Sequence, residues 1–342
     1  MDNLSKGDKI YYPEMDIARG IAILLVVFAH CIQCGNGAEY YENLNFFDNI
    51  IYKSIYSFHM PLLMMVSGFL LAKNINKKTV LQIISGRVTN ILLPIIAWNL
   101  IVQLPHIISN NLFDWLITFC KSTITSFWFL WAVLFSTVAT TFIYKYGKNK
   151  WYWYILATLL CFFTPDIWNS ECYKFMFFCY ICGFFYKKNI KDRNMILLFT
   201  FILWILLLQM YDYNSYIYTT GWTLLGRTDM LICFIRDIYR VAIGVIGSAM
   251  ILLTIIKLGK YISENVLQIF KILGKNSMGI YIISTFMNIV LQRTTKEFKP
   301  SIIMNILETL LIISGSYIIV YMLKLNKWSK KFCWEDANGK KG

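Results

Sequence analysis

The chain has three histidines, His30, His59 and His106, and all lie in or beside its first three apolar runs. An imidazole ordinarily titrates near neutrality, and an ionisable group held in an apolar segment is expensive unless it serves a polar cavity. His30 follows Arg19 by eleven residues. On one helix that separation is about 16 Å of rise and about 20° of azimuth, so a permanent cation and a proton acceptor share a face. The same spacing also fits an arginine snorkelling to one membrane surface and a histidine packed near the other. His59 directly precedes Met60-Pro61, where it either lines a cavity or fixes the proline turn, and His106 follows Pro105 at the end of the third run. Arg236 and Arg240 are one helical turn apart with Asp237 beside them, which reads as an anion-binding pair or as a structural charge network.

The elements that position these groups are set by composition. Of 342 residues, 57% are hydrophobic, 17% aromatic and only 15% charged, which is a membrane composition. Runs long enough to cross a ~30 Å hydrocarbon layer fall near 17-34, 49-72, 88-105, 124-144, 151-165, 172-187, 195-211, 231-256, 273-292 and 301-323. The expected fold is all-α, a polytopic integral membrane helix bundle of about ten transmembrane helices in one domain over residues 1-342. The segment from Asn111 to Ser122 is amphipathic, interrupted by Asp114 and Lys121, and is expected as an interfacial or re-entrant piece. Lysines and arginines alternate strongly between the two sets of loops, with 23 on one side and 6 on the other. That asymmetry predicts cytoplasmic ends at 1-16 and 324-342, in a multi-pass protein of the cell membrane.

Other classes are excluded or left without support. The formal charge of +14 is scattered in short clusters between apolar runs, without the basic stripe of a nucleic-acid binder, so no nucleic-acid partner is expected. The nine cysteines lie mostly inside apolar runs, and the CxxC pairs Cys31/Cys34 and Cys179/Cys182 have no adjoining ligand set, so neither a disulfide framework nor a metal site is expected. The first apolar run starts after a polar stretch and has no small-residue cleavage site, so it reads as a retained span. The loop from Asp212 to Asp229, rich in Tyr, Thr and Gly and carrying Trp222, suits either sugar contact or an interfacial aromatic belt.

The run from Met15 through Asp16, Arg19 and Gly20 to His30 resembles the opening signature of membrane acyltransferase family 3, in which Asp-x-x-Arg-Gly begins an apolar span closed by a histidine, with ten residues between the arginine and the histidine. Phe58-His-Met-Pro through Ser67-Gly-Phe69 is similar to that family's second-span motif. Phe127-Trp-Phe-Leu130, Gly183-Phe184 and the segment Gly274 to Tyr281 resemble further family segments in the same order. Two departures stand out. Arg87-Val-Thr-Asn90 keeps only the first arginine of an Arg-x-x-Arg, and Ser284 and Thr285 stand where a late histidine often occurs.

The resemblance implies an O-acyltransferase that moves an acyl group, typically acetyl, from acyl-CoA to a hydroxyl of a surface polysaccharide, exopolysaccharide or similar carbohydrate. His30 is then the catalytic base, with Arg19 and Asp16 as its partners. Acyl-CoA is a donor substrate, and no bound cofactor is expected. Coenzyme A carries several phosphate charges, which assigns its binding to Arg19 and Arg87. His59, Ser67, Trp128, Arg236 and Arg240 are the candidate substrate-binding residues. The partners are the acyl-CoA, the carbohydrate acceptor and the bilayer. The alternative, a transporter or export accessory for a glycan, lacks the two internally similar halves that such folds commonly show.

Overall fold

A computed structural model describes residues 11–107, 111–186 and 193–326. Lys6, Lys9, the basic residues at 187, 188 and 191, and the tail beyond residue 326 lie outside the described residues. In chain order the helices begin with α1 (Pro13–Cys34), α2 (Ala38–Glu42), α3 (Ile50–Tyr56), α4 (His59–Asn74), α5 (Val80–Arg87), α6 (Leu93–Gln103), α7 (Leu112–Thr125) and α8 (Trp128–Tyr146). They continue with α9 (Trp151–Phe162), α10 (Ser170–Phe185), α11 (Arg193–Gln209), α12 (Ile217–Thr220), α13 (Met230–Leu258), α14 (Glu264–Lys275), α15 (Ser277–Thr294) and α16 (Ile302–Leu325).

Six helical stretches are long and apolar enough to span a membrane: Pro13–Cys34, Ile50–Lys77, Val80–Gln103, Trp128–Tyr146, Met230–Leu258 and Ile302–Leu325. The shorter apolar helices α9, α10, α11 and α15 coincide with the four remaining runs read from the sequence, and no strand occurs among the described residues. The fold is an all-α membrane bundle.

Three local features depart from the simple pattern of runs, each for a physical reason. The second run is two helices, because Pro61 cannot donate to the Ser57 carbonyl; the chain turns at Phe58 and restarts with His59 as the first residue of α4. The third run begins earlier, at Val80, under a capping box in which Thr79 and Gln82 satisfy each other's backbone N–H groups. Arg87 therefore ends a helix and does not sit in a loop, and a π-helical turn over Val88–Leu92 leads from it into α6, whose second residue is Pro94. Finally, the lysine-rich stretch before residue 273 folds into α14, an amphipathic helix that packs along α1.

The spans that carry His30 and His59 are the interior ones, the most deeply buried of the six long spans. α1 packs on α3, α4, α13, α14, α15 and α16. Two glycine contacts set its register against α14: a Cβ at Gly20 would run into the Phe270 carbonyl, and one at Gly274 into the Asp16 carbonyl. α4 meets α10 in the same way, Gly68 lying on the Tyr180 carbonyl and Gly183 on the Met65 carbonyl. Backbones this close leave no room for any side chain, so the interior helices are held in one register.

Candidate active site

At one end of α1, the Arg19 guanidinium lies 3.6 Å from Asp16 one turn earlier. Arg87, arriving at the end of α5, is close enough for its charge to act on both Arg19 and the Tyr180 phenol. Tyr180 in turn shares a 2.9 Å hydrogen bond with Thr137 of α8. Two guanidinium groups and one carboxylate make a net cationic position suited to phosphate. The structure thus brings together Asp16, Arg19 and Arg87.

At the other end of α1, rings gather around His30. Tyr56, the last residue of α3, has its ring 6.5 Å from His30 and 4.8 Å from His59, edge-on to both. Tyr52 stacks on Tyr56 at 4.0 Å. Tyr216 and Tyr218 approach Tyr56 from the 212–229 loop, and Trp128 of α8 meets Tyr218 at 6.2 Å. Tyr281 of α15 packs on Phe127 and Phe129, so the late family-like segment reaches the Trp-Phe-Leu segment in space. A cavity of about 30 Å³ lies against this group, lined by His59, Tyr56, Met60, Tyr216, Tyr218 and Arg240 among others. The His59 ring is buried, and its Nδ1–H donates to the Ile55 carbonyl at 2.8 Å.

The remaining expected residues fall at varying distances from these rings. Ser67 lies two turns along α4 from His59, and its hydroxyl donates to the Leu63 carbonyl of its own helix at 2.9 Å. Ser284 and Thr285 likewise turn back to the Tyr281 carbonyl. Arg236 is partly buried one turn before Arg240. His106 lies in the turn Leu104–Ile107, beyond α6.

Arg240 is a finding in itself. Its guanidinium is buried and pairs with Asp237 at 2.7 Å. Its other hydrogen bonds go to the carbonyls of Asn214, Ser215, Tyr216 and Gly221 and to the Thr220 hydroxyl. All three guanidinium nitrogens, and so the whole donor set, are engaged by protein groups. Arg240 thus acts on the site through the loop it holds, and that loop carries Tyr216 and Tyr218.

A second clamp holds the far part of the same loop. Lys174 donates to the Thr164 and Pro165 carbonyls and to Asp166 at 2.8 Å, while the other Asp166 oxygen accepts from the Trp222 and Thr223 amides. Burial pushes the Asp166 carboxyl up, but the Lys174 ammonium and the two amides outweigh it and hold the group below the ordinary carboxylate range.

Two contributors were not singled out from sequence. Gln33 accepts from His30 Nδ1 at 3.1 Å, and Tyr56 bridges the two histidines. Gln33 stands at helical spacing, three residues after His30, whereas Tyr56 lies three residues before His59 across the turn between α3 and α4; these short separations are the signal the sequence offers. Among the described residues no three His, Cys, Asp or Glu side chains gather as a metal site.

The comparisons with known proteins show the family of the chain. The family profile described as an acyltransferase domain matches residues 12–325, so the chain belongs to acyltransferase family 3, a family of membrane-embedded acyl-transferring proteins. Nodulation protein NolL of Sinorhizobium fredii (strain NBRC 101917 / NGR234) is 28% identical over 185 residues, 52% of this chain and 49% of that protein. Nodulation protein NolL of Mesorhizobium japonicum (strain LMG 29417 / CECT 9101 / MAFF 303099) is 30% identical over 189 residues, 53% of this chain and 49% of that protein. The chain thus aligns with about half the length of each of these relatives. No solved structure gives a significant match.

Proposed function

We propose that the chain transfers an acyl group, most simply acetyl, from acyl-CoA to a hydroxyl of a cell-surface or exported carbohydrate, with His30 as general base. The observation that carries this reading is the division of α1 into two chemically distinct ends. Arg19, beside Arg87, offers cationic charge to the phosphates of the donor. About 16 Å further along the same face, His30 stands among aromatic rings suited to stack on a sugar. The extended pantetheine arm of coenzyme A is of comparable length. It would carry the thioester from one end to the other.

In the reaction, His30 takes the proton of the acceptor hydroxyl as its oxygen attacks the thioester carbonyl. The carbon–sulfur bond then breaks, and the same proton passes to the departing sulfur to give free CoA. The charge asymmetry supports the membrane orientation: both termini, the 73–87 segment with α5 in it and the 145–150 connection face the cytoplasm, where acyl-CoA is made. An impermeant thiol reagent applied from outside will then miss single cysteines placed at Lys77 or Lys148. The class of reaction is tested by reconstituting the purified protein in vesicles with labelled acyl-CoA and glycan. Label appearing in the glycan supports the proposal, and movement of unmodified glycan across the membrane contradicts it.

A further inference from the structure

Gln33 stands one turn beyond His30 on α1, and its side-chain oxygen lies 3.1 Å from His30 Nδ1. An amide oxygen has no proton to give, so in this pair the imidazole donates from Nδ1. Nε2 is then the nitrogen with the free lone pair. His59 is locked in the same tautomer, but by a main-chain carbonyl, that of Ile55, which no substitution removes. His30 depends on a side chain for the same service. The ring also meets Tyr56 edge-on, which restricts its tilt without supplying an acceptor in line with Nδ1.

We infer that Gln33 is the positioning residue of the reaction: it fixes the His30 ring and tautomer so that Nε2 meets the acceptor hydroxyl. The inference rests on the reading of His30 as the base and adds what that reading leaves open, which nitrogen acts and what holds it. When Nε2 takes the hydroxyl proton, the ring becomes an imidazolium and the Nδ1–H bond to Gln33 becomes charge-assisted, hence stronger. The aid is therefore largest as charge develops, which is where it accelerates the step. When Nε2 returns the proton to the leaving sulfur, the ring is back in its starting form with Nδ1–H still on Gln33. An amide in this position supports the imidazolium without the full charge of a carboxylate, so the base stays easy to deprotonate between turnovers.

Among the described residues, Tyr56 of α3 is in ring contact with His30 and His59 of α4 in electrostatic contact with it, while Cys34 of α1 and Tyr41 of α2 act electrostatically on Tyr56. Glu308 of α16 packs against α1 one turn on, at Gly35, with Asn305 as its partner. The substitutions at Gln33 alter none of these side chains.

The test uses the full-length protein in vesicles, with kcat, both KM values and the pH dependence of kcat/KM measured for Gln33→Leu, Gln33→Glu and His30→Gln. Leucine keeps the bulk of Gln33 and removes the acceptor of a charge-assisted hydrogen bond, so kcat falls about 10- to 100-fold with both KM values little changed. Glutamate restores an acceptor, so Gln33→Glu recovers most of the rate, and its charge moves the acid limb of the profile up by about one pH unit. Packing alone would not move that limb. Gln33→Leu at the wild-type rate, or both variants equally slow with an unmoved limb, overturns the inference. His30→Gln separates the levels: if it is inactive while Gln33→Leu is normal, only the role of Gln33 falls, whereas an active His30→Gln removes the base and Gln33 with it.

Discussion

Asp16 and Arg19 face each other at 3.6 Å across one turn of α1, at the end of the helix that Arg87 also reaches. The carboxylate offsets part of the repulsion between the two arginines, and on the proposed function the two cations receive the donor's phosphates. Charge-assisted hydrogen bonds contribute about 1.5–3 kcal/mol each. Replacing Arg87 with Ala is therefore expected to raise the KM for acyl-CoA by roughly 10- to 100-fold, while the KM for the acceptor stays within about twofold. Arg19→Lys will behave similarly, because a lysine cannot supply the planar fork that binds phosphate bidentately. Equal weakening of donor and acceptor would point to general damage and not to a donor site.

The register of α1 against α14 depends on two glycines. Since a Cβ at Gly20 meets a backbone carbonyl that cannot move aside, Gly20→Ala is expected to lower stability by about 1–3 kcal/mol and to disturb the Asp16 and Arg19 end of the site. Gly86→Ala is the matched control, with nothing within 4 Å of the added methyl. Helix propensity alone favours alanine there by up to about 1 kcal/mol. Thermal unfolding of both variants in detergent checks the pair: Gly20→Ala melts earlier and Gly86→Ala does not.

The Asp166 clamp makes the 212–229 loop sensitive to acid. A carboxyl held below its ordinary value contributes stability that is fully present above about pH 4 and is lost as pH falls through the lower, folded-state value. Hydrogen exchange at the Trp222 and Thr223 amides will therefore be insensitive to this group at neutral pH, once the intrinsic rates are allowed for, and will lose protection below about pH 4. Asp166→Asn, which removes the charge that Lys174 neutralises, should lower the protection at pH 7 by about 1–3 kcal/mol.

Much of this architecture is legible in the sequence because lipid imposes simple rules. Apolar runs between lysine clusters located the helices, and the asymmetric distribution of Asp114, Lys121 and the apolar residues around them marked α7 as an amphipathic piece. The shared helix of Arg19 and His30 followed from spacing alone. What pattern could not supply was anything resting on contact between distant segments. The stretch holding Lys257, Lys260 and Lys271 reads as a cytoplasmic loop by charge, yet part of it is a helix because Leu267 and Leu273 bury against neighbouring helices. Arg240 reads equally as substrate anchor or structural charge until the carbonyls of residues 214 to 221 are seen around it. Tyr56 gains its meaning only when α3 is folded against α1.

The central claim is that His30 moves the proton, and the measurement that reaches it most directly is acyl transfer by purified His30→Gln protein in vesicles at saturating acyl-CoA and glycan. Glutamine keeps polarity and hydrogen bonding but cannot accept the proton. The account predicts normal expression and melting, a KM for acyl-CoA close to that of the wild type, and turnover reduced by about 10²- to 10⁴-fold. A His30→Gln protein that folds normally and still acylates at most of the wild-type rate would contradict it.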